Sequence, residues 1–426
     1  MTDKKKELMP FLGLMAAAVI LGLTTKPATP VSLNRPSPLE LGSVSDNVVA
    51  LAAEEGTGVK LIRSDEWAQQ YPNEYRTYMM NNDNDEVTDY IEENPYIKTL
   101  YEGYGFAISY GSARGHTYVV EDVTSTGRPH KLANCFTCKT SDFTAKVLND
   151  GPSAYAMDFA DMEVQVTDAF GCFHCHSNEP GVLYVTHPYV TAALGEDFGK
   201  VPAANLSCAQ CHTEYYFDPA TKATMVTYHG LGQMSPDDSL AYENSLLDAE
   251  GNMFCDWVDA DTGVRKLKVQ HPEFETYMGE GSVHKGQFTC ADCHMAKTTA
   301  EDGTVFTNHY WVSPLQNEEL MASTCSQCHA DLAADVARIQ TATRDRENEL
   351  GYALEQLDRD LAAAVEAGTL SEENLEAARM ASRNAQFYWD YVFVENSEGA
   401  HNSRLTNYCL DKAREFLDEA NTAIQQ

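Results

Sequence analysis

Five pairs of cysteines, each pair separated by two residues, constrain this chain more than any other feature of its sequence. The pairs begin 37, 36, 82 and 35 residues apart, which indicates a repeated unit with one large insertion between about 213 and 283. A histidine directly follows four of the pairs, and a lysine follows the first. In chain order the five motifs contain Cys135, Cys138 and Lys139; Cys172, Cys175 and His176; Cys208, Cys211 and His212; Cys290, Cys293 and His294; and Cys325, Cys328 and His329.

The C-x-x-C-H pattern attaches c-type haem, because the two thiols form thioether bonds to the porphyrin and the adjacent histidine binds the iron. Zinc ribbons usually bring two cysteine pairs within about 15 to 20 residues, and neither zinc nor a disulfide framework requires a histidine after each pair. The sequence therefore predicts five covalently bound haems c. Cys255 and Cys409 lie outside the motifs, either as free thiols or as a bridged pair.

The lysine of the first motif distinguishes one haem from the other four. An amine binds iron only when it is deprotonated, so the metal and burial must overcome a pKa of about 10.4. Each of the other haems needs a second histidine to become a six-coordinate electron carrier, and nine histidines remain outside the motif ligands. We predict that the iron bound by Lys139 keeps a free position for substrate. The alternative is that Lys139 only tunes the reduction potential.

The charge balance excludes one class of partner. Thirty lysines and arginines against 64 aspartates and glutamates leave a net charge of −34, whereas binding to nucleic acid requires a basic surface. Such an acidic protein repels small anions, so an anionic substrate would need concentrated positive charge at its site. The 426-residue chain, with 43% hydrophobic and 22% charged residues, otherwise has the composition of a globular protein.

The N-terminus has the pattern of an export signal. A lysine-rich start precedes an apolar run from Phe11 to Leu23, which is short for a membrane span. We predict a signal peptide or N-terminal anchor at 1–25, a linker at 26–60 and a periplasmic location. Because the cleavage site is a poor one, an uncleaved anchor with membrane association is the alternative.

The rest of the chain predicts a mainly α-helical protein with little strand. Short helical segments broken by Gly, Pro and Asn extend over 61–330, where we predict a body with a haem-packed core. Long helices follow over 331–426. The first apolar stripe there ends at Gly368, and Thr369 with Glu372 predicts a capping box for the next helix. We expect these stripes to pack on the same subunit, and a dimer interface can use part of the same helices.

Four C-x-x-C-H motifs, one C-x-x-C-K motif placed first and a helical C-terminal region resemble the pentahaem, ammonia-forming cytochrome c nitrite reductases. The resemblance implies six-electron reduction of nitrite to ammonium at the haem of Lys139, supplied by four bis-histidine haems. It also implies a membrane-bound multihaem quinol oxidase as electron donor and a homodimer. The alternatives are a non-catalytic electron-transfer cytochrome and a related multihaem reductase of sulfur oxyanions.

Three active-site residues are implied by short motifs of the resemblance. Arg128 in DVTSTGR matches the substrate-binding arginine, Tyr215 in EYYF the active-site tyrosine, and His271 in KVQHPE the active-site histidine. The fixed charge and donors of an arginine suit an anion. A tyrosine hydroxyl can donate a proton, and a histidine titrates near neutral pH.

One calcium ion is implied beside these residues. By the resemblance, its ligands are the carboxylate of Glu214, the amide oxygen of Gln270 and the backbone carbonyls of Tyr215 and Lys268. Oxygen ligands of this kind suit a hard cation. The ion would hold Tyr215 and the neighbouring histidine in place and would add positive charge to an acidic protein.

Second iron ligands for the four histidine haems are implied in the same way. The resemblance assigns His116, in the segment RGH, to the third haem and His309 to the second. It assigns His401, in the segment GAHN, to the fourth haem and His284 to the fifth. These four histidines complete the set that the four C-x-x-C-H motifs require.

Overall fold

The computed structural model describes residues 58–129 and 131–426, together with the backbone of 49–50. The predicted signal or anchor and nearly all of the predicted linker lie outside these residues. Among the helices that the structure describes, none is both long and apolar enough to cross a membrane.

Short helices make up the chain as far as the fifth motif, as the frequent Gly, Pro and Asn residues predict. The α-helices described in this region have four to ten residues: α1 (Pro72–Met79), α2 (Tyr90–Glu93), α3 (Ile97–Leu100), α4 (Val119–Ser125), α5 (Ser141–Asp150), α6 (Phe159–Glu163), α7 (Cys172–His176), α8 (Pro188–Leu194), α9 (Ala203–Ala209), α10 (Pro236–Ser245), α11 (Glu273–Met278), α12 (Cys290–His294) and α13 (Glu318–Ser323). Single 3₁₀ turns connect them at Ser64–Trp67, Met80–Asp83, Gly105–Ala107, His116–Tyr118, Ala133–Phe136, Gly151–Ala156, Gly195–Lys200, Leu231–Gln233, Pro314–Gln316 and Cys325–Gln327.

Polar caps define where several of these helices begin and end. Thr140 accepts a hydrogen bond from the amide of Asp142 at 3.1 Å and starts α5, which ends where Gly151 adopts a φ of 72°. Asp158 caps α6 in the same way. The second and fourth motifs coincide with α7 and α12, and the third lies at the end of α9. The first and fifth motifs begin in 3₁₀ turns, so each motif begins in or at the end of a short helical segment.

The strands form small two-stranded ladders and no larger sheet in the described part of the chain. The first pair is parallel and the other three are antiparallel. Two of the antiparallel ladders, Tyr215–Phe217 with Thr224–Val226 and Trp257–Val258 with Arg265–Lys266, lie in the insertion between the third and fourth motifs. The strands are β1 (Val49–Ala50), β2 (Tyr184–Val185), β3 (Tyr215–Phe217), β4 (Thr224–Val226), β5 (Trp257–Val258), β6 (Arg265–Lys266), β7 (Lys297–Thr299) and β8 (Val305–Thr307).

Three long helices end the chain: α14 (Leu332–Ala367), α15 (Glu372–Phe393) and α16 (Ser403–Ile424). Gly368 terminates α14 in the left-handed region at φ 61°, which confirms the predicted end. The predicted capping box of Thr369 and Glu372 is wrong. The cap is Ser371, whose hydroxyl accepts from the amide of Asn374 at 3.1 Å, because α15 begins later than the pattern suggested.

The long helices pack on the body of the same chain. Leu350, Leu354 and Leu357 of α14 share one buried cluster with Ile97 and Leu100 of α3. Fully burying a leucine stabilises a fold by roughly 2 kcal/mol, so this stripe contributes strongly to holding α14 in place. The prediction of a mainly helical protein with little strand and long C-terminal helices is confirmed.

Candidate functional site

Each histidine that ends a C-x-x-C-H motif faces a second histidine. An imidazole nitrogen binds a transition metal at about 2 Å, so two rings on opposite faces of one iron have centroids roughly 6 Å apart. The partners are those that the resemblance implied. The ring centroids are 6.3 Å apart for His176 and His309, 6.0 Å for His212 and His116, 6.1 Å for His294 and His401, and 6.1 Å for His329 and His284.

Hydrogen bonds orient several of these rings for metal binding. A carbonyl oxygen can only accept, so a ring whose Nδ1 atom faces a carbonyl carries its proton there and keeps the lone pair of Nε2 for a metal. The contacts of this kind are from His176 Nδ1 to Val182 O at 2.8 Å, from His294 Nδ1 to Val312 O at 3.0 Å, and from His309 Nδ1 to Thr307 O at 2.9 Å.

Burial keeps several of the paired rings neutral, which is the form that binds iron. It lowers the pKa of His116 to about 3 and the pKa values of His294 and His309 to about 4. His212 differs, because Glu273 opposes the effect of burial and raises its pKa to about 9. The Glu273 carboxylate lies 3.7 Å from His212 Nδ1 and its charge favours a proton on that atom, so a metal at Nε2 would have to displace the second proton of the charged ring.

Two further histidine pairs have similar separations. The rings of His174 and His187 are 5.9 Å apart, but the structure engages both nitrogens of each ring with protein atoms. His271 lies 6.0 Å from His212, whose other neighbour at this distance is His116. The distance between two ring centroids therefore does not identify a pair of iron ligands by itself. The hydrogen bonds of each ring must be considered together with that distance.

The first motif lies against a buried aromatic cluster. Phe136, inside the motif, stacks on Phe159 with ring centroids 4.5 Å apart, and Phe143 belongs to the same cluster. Lys139 follows the motif and is half-buried. In the described parts of the chain no hydrogen bond or ion pair involves its side-chain amine, so the amine is available to a metal.

Arg128 lies beside the first motif with part of its guanidinium group unengaged. The group lies 4.3 Å from the ring centroid of Phe106, and its Nε atom donates to Thr126 at 3.3 Å. Neither terminal nitrogen has a carboxylate or hydrogen-bond partner among residues 58–129 and 131–426. Burial raises the pKa of Cys135, whereas Arg128 and then Lys139 lower it, so both cations act on the same motif. An anion bound here would meet the local positive charge that the acidic protein otherwise lacks.

Tyr215 begins β3 and borders the same motif. Burial raises the pKa of its hydroxyl well above the ordinary value, and Cys138, Tyr104 and Cys135 act in the same direction. The hydroxyl therefore stays protonated at neutral pH and can donate a hydrogen bond. The structure thus brings Arg128 and Tyr215 together around the first motif.

His271 lies beside the third motif. Its Nδ1 atom is buried and 3.8 Å from the carboxylate of Glu273, which is too far for a hydrogen bond. In the part of the chain that the structure describes, no hydrogen bond or ring contact joins His271 to Arg128 or Tyr215. The structure therefore places this predicted active-site residue at the third motif and the other two at the first.

Three of the predicted calcium ligands lie together. One oxygen of the buried Glu214 carboxylate accepts a hydrogen bond from the backbone amide of Gln270 at 2.7 Å. The other carboxylate oxygen has no hydrogen-bond partner within the described residues. Burial, and then the charge of Glu243, raises the pKa of Glu214 well above its usual range. The side-chain nitrogen of Gln270 lies 3.0 Å from the carbonyl oxygen of Lys268. Exchanging the nitrogen and oxygen positions of that side-chain amide would direct the Gln270 oxygen and the Lys268 carbonyl oxygen toward one point. This donor set fits a hard cation, which would offset the buried negative charge.

Helix α15 fixes the segment that carries these ligands. Asp390 accepts from the amide of Val269 at 2.9 Å and from the Lys268 amine at 2.9 and 3.0 Å. The same amine lies 5.2 Å from the ring of Phe106, which also contacts Arg128. The calcium segment and the arginine therefore share one aromatic neighbour.

Sulfur atoms of neighbouring motifs lie side by side. Cys138 of the first motif and Cys211 of the third have sulfurs within 4.8 Å of each other. A side-chain contact likewise joins Cys208 of the third motif to Cys290 of the fourth. The third motif therefore adjoins both the first and the fourth. Cys255 and Cys409 are both free thiols.

Two functional carboxylates were not predicted from the sequence. Glu273 lies between His212 and His271, and its position two residues after His271 in the chain was the available signal. Glu395 contacts His401 Nδ1 at 2.6 Å, and its spacing of six residues from that histidine carries no recognisable pattern.

The fold and the motifs define a helical c-type cytochrome with several haem-binding segments. The sequence profile of the cytochrome c552 family matches residues 63–426, and the chain therefore belongs to the cytochrome c552 family. This finding confirms the resemblance recognised from the motifs.

Two similar proteins are nitrite reductases. The cytochrome c nitrite reductase subunit NrfA of Nitratidesulfovibrio vulgaris is 30% identical over 412 residues, covering 84% of this chain and 78% of that protein. The catalytic subunit of cytochrome c nitrite reductase from Desulfovibrio desulfuricans shares the fold with a TM-score of 0.77 and 27% identity, covering 87% of each chain. Its structure is described with two calcium sites.

Proposed function

We propose that this protein is an ammonia-forming cytochrome c nitrite reductase. Nitrite is reduced at the c-type haem of the first motif, and four bis-histidine haems supply the electrons. One nitrite, six electrons and eight protons give one ammonium ion and two waters. Membership of the cytochrome c552 family and similarity to two nitrite reductases support this reaction.

The distribution of histidines is the observation that carries the proposal. Four motif histidines have four partner histidines at the separation that one iron requires. Of the other described histidines, His174 and His187 are hydrogen-bonded at both nitrogens, and His229 is exposed against Tyr242. His271 adjoins Glu273, and His130 lies outside the described residues. None of the described histidines therefore pairs with Lys139 at the first motif, which supports a free face on the iron that Lys139 would hold.

The residues around the first motif have complementary roles in this proposal. The haem would supply the iron that binds nitrite and would transfer electrons singly. Lys139 would hold the iron of that haem, and the unengaged nitrogens of Arg128 would bind the substrate oxygens. Tyr215 donates a hydrogen bond from its protonated hydroxyl. His271, beside the third motif, would provide a proton or a positive hydrogen-bonding group.

The arrangement of the motifs supports delivery of electrons through the third haem. Its cysteines adjoin those of the first motif and of the fourth. A chain of closely spaced haems lets one iron receive several electrons in succession, which a six-electron reduction requires.

The cofactor count is part of the proposal: five haems c and one calcium ion. The calcium ligands are Glu214, Tyr215, Lys268 and Gln270. The support is the unpartnered Glu214 oxygen together with the paired oxygen positions at Gln270 and Lys268. The ion would fix the backbone at both of these active-site residues, because Tyr215 is itself a ligand and His271 directly follows the ligand Gln270.

The cellular setting follows from the same assignment. The protein would act in the periplasm after export through the 1–25 segment, with the 26–60 linker joining it to the catalytic body of 61–330. Electrons would come from a membrane-bound multihaem quinol oxidase. The long helices of 331–426 would form a homodimer interface.

Steady-state nitrite reduction by the purified holoprotein tests the proposed function. Reduced viologen supplies electrons, and ammonium is measured against viologen oxidised. We expect six electrons to be consumed per ammonium formed. A protein that carries all five haems but forms no ammonium would refute the proposal.

A further inference from the structure

Two histidines that do not fit as iron ligands lie at the centre of the haem-binding body. His174 is 1% exposed and His187 is 3% exposed, so neither is a surface residue. His174 is the residue directly before the second cysteine of the second motif. Thr137 and Gln210 occupy the same position in the first and third motifs.

All three of these motif positions contact one dipeptide, Thr186 and His187. The Gln210 side-chain oxygen accepts from the amides of Thr186 and His187, at 2.5 and 3.1 Å. The Thr186 hydroxyl donates to the His174 carbonyl at 2.9 Å, and the Gln210 amide donates to that carbonyl at 3.1 Å. The His187 Nε2 atom lies 2.9 Å from the Thr137 carbonyl. Thr186, His187 and Gln210 thus connect three motifs, and we name them the 186–187 clamp.

The contact to the first motif fixes the protonation of His187. A carbonyl oxygen has no proton to give, so His187 Nε2 must carry a proton and donate it to Thr137. The ring is buried between protein groups, where water cannot replace a lost hydrogen bond. Leaving a buried polar group unpaired is costly, so the clamp is favoured over a loosened arrangement.

The clamp lies where the first and third haems would be attached. The sulfurs of Cys138 and Cys211 and a ring nitrogen of His187 are all within 4.8 Å of one another. Thr137 directly precedes Cys138 and lies two residues before Lys139. A hydrogen bond to the Thr137 carbonyl therefore restrains the backbone that carries both a haem attachment and the amine ligand.

We infer that the 186–187 clamp holds the lysine-bearing motif in register with the second and third motifs, with His187 as a positioning residue for the haem of Lys139. The inference rests on the haem assignment of the proposed function. Thr186 and Gln210 join the second and third motifs, and His187 joins this pair to the first. The clamp sets the orientation of the Lys139 amine toward its iron and the separation of the first and third haem attachments.

The substitution His187→Ala tests this inference in the holoprotein. The number of attached haems is measured by mass spectrometry. The signals of the five irons are measured by electron paramagnetic resonance, and the cyanide affinity by optical titration. We expect all five haems and the four low-spin signals to remain. The signal of the lysine-bound iron should shift or broaden, and the dissociation constant for cyanide should rise about threefold or more. The exposed His229→Ala variant is the matched control and should resemble the unaltered protein.

Two amide variants test the inference even if the His187→Ala protein cannot be obtained. In His187→Gln the side-chain amide lies near the place of Nε2 and can still donate to Thr137, whereas in His187→Asn it lies near Nδ1 and falls short. We expect the Gln variant to keep the native iron signal and cyanide affinity, and the Asn variant to lose both. Identical signals and affinities in these two variants would overturn the inference.

The outcomes also separate this inference from the proposed function. If unaltered protein forms ammonium but all His187 variants have native signals of the lysine-bound iron, the clamp is refuted and the enzyme assignment stands. If unaltered protein forms no ammonium but the Asn variant still perturbs that iron, the clamp stands and the enzyme assignment fails.

Discussion

The Nδ1 atom of His401 lies 2.6 Å from a carboxylate oxygen of Glu395. Glu395 is buried, and its other oxygen accepts from the Ser397 hydroxyl at 2.5 Å. The other carboxylates near paired histidines are more distant: Glu273 is 3.7 Å from His212, and Asp335 is 3.6 Å from His329. A carboxylate at Nδ1 makes the imidazole a stronger donor, which favours ferric iron and lowers the reduction potential.

The substitution Glu395→Gln should therefore raise the potential of the fourth haem. A neutral amide removes the charge but can still accept a hydrogen bond, so we expect His401 to remain a ligand. Potentiometric titration followed by electron paramagnetic resonance measures the potential of each haem. The control is Asp335→Asn, because that carboxylate is more distant and its side chain is 46% exposed. An unchanged fourth potential in Glu395→Gln would contradict the argument.

Arg128→Ala should weaken nitrite reduction without loss of haem. Removing a charged hydrogen bond to a bound anion costs roughly 2 kcal/mol, which corresponds to about a 30-fold fall in kcat/KM. Arg128→Lys should recover part of this loss, because it restores the charge but not the planar pair of donors. The exposed arginine variant Arg404→Ala serves as control. An unchanged kcat/KM for nitrite in Arg128→Ala would show that this arginine does not bind the substrate.

The sequence predicted well those features that depend on local patterns. The motifs predicted a c-type cytochrome, which the family match confirms, and the apolar stripe with Gly368 predicted the end of α14, because a helix terminus is determined by adjacent residues. The start of α15 was missed because Thr369 and Ser371 are both suitable caps two residues apart. The hydroxyl of Thr369 instead contacts the Ala364 carbonyl at the end of the preceding helix.

Contacts between distant segments could not be predicted in this way. His187 and Thr137 are 50 residues apart, and Asp390 reaches Lys268 across 122 residues. No periodicity or short motif encodes such pairs, because they are formed only when the helices pack. The four histidine partners were implied by resemblance to known proteins, since spacing alone gives no reason to join His116 to His212.

Removal of calcium should lower nitrite turnover while the haems remain attached. The ion would offset the buried charge of Glu214 and fix the backbone of Tyr215, so its loss should disorder the substrate site. We expect chelation to reduce turnover at least about tenfold and added calcium to restore it. Metal analysis should show weaker calcium retention in Glu214→Gln and native retention in Glu280→Gln, whose glutamate is 88% exposed. Full activity in a calcium-free preparation would exclude this role.

Glu347 in α14 should make stability depend on pH. Burial, and then the charge of Glu398, raises its pKa from 4.5 to about 8. The folded protein therefore binds a proton that the unfolded chain releases, and the free energy of unfolding should fall as pH rises from about 4.5 to 8. The full effect, reached above pH 8, is on the order of a few kcal/mol.

Thermal unfolding of Glu347→Gln at pH 5 and pH 9 measures this effect. The amide carries no charge, so the variant should gain stability over the unaltered protein mainly at pH 9. The matched control is Glu349→Gln in the same helix, where the glutamate side chain is 72% exposed. A difference between Glu347→Gln and the unaltered protein that does not change with pH would contradict the assignment.

The oxidised holoprotein, titrated with nitrite and followed by electron paramagnetic resonance, tests most directly whether the Lys139 iron has a free face. We expect four low-spin haems that nitrite leaves unchanged and one distinct haem whose signal nitrite converts. Five low-spin haems, none of them altered by nitrite, would show that the Lys139 iron has no free face.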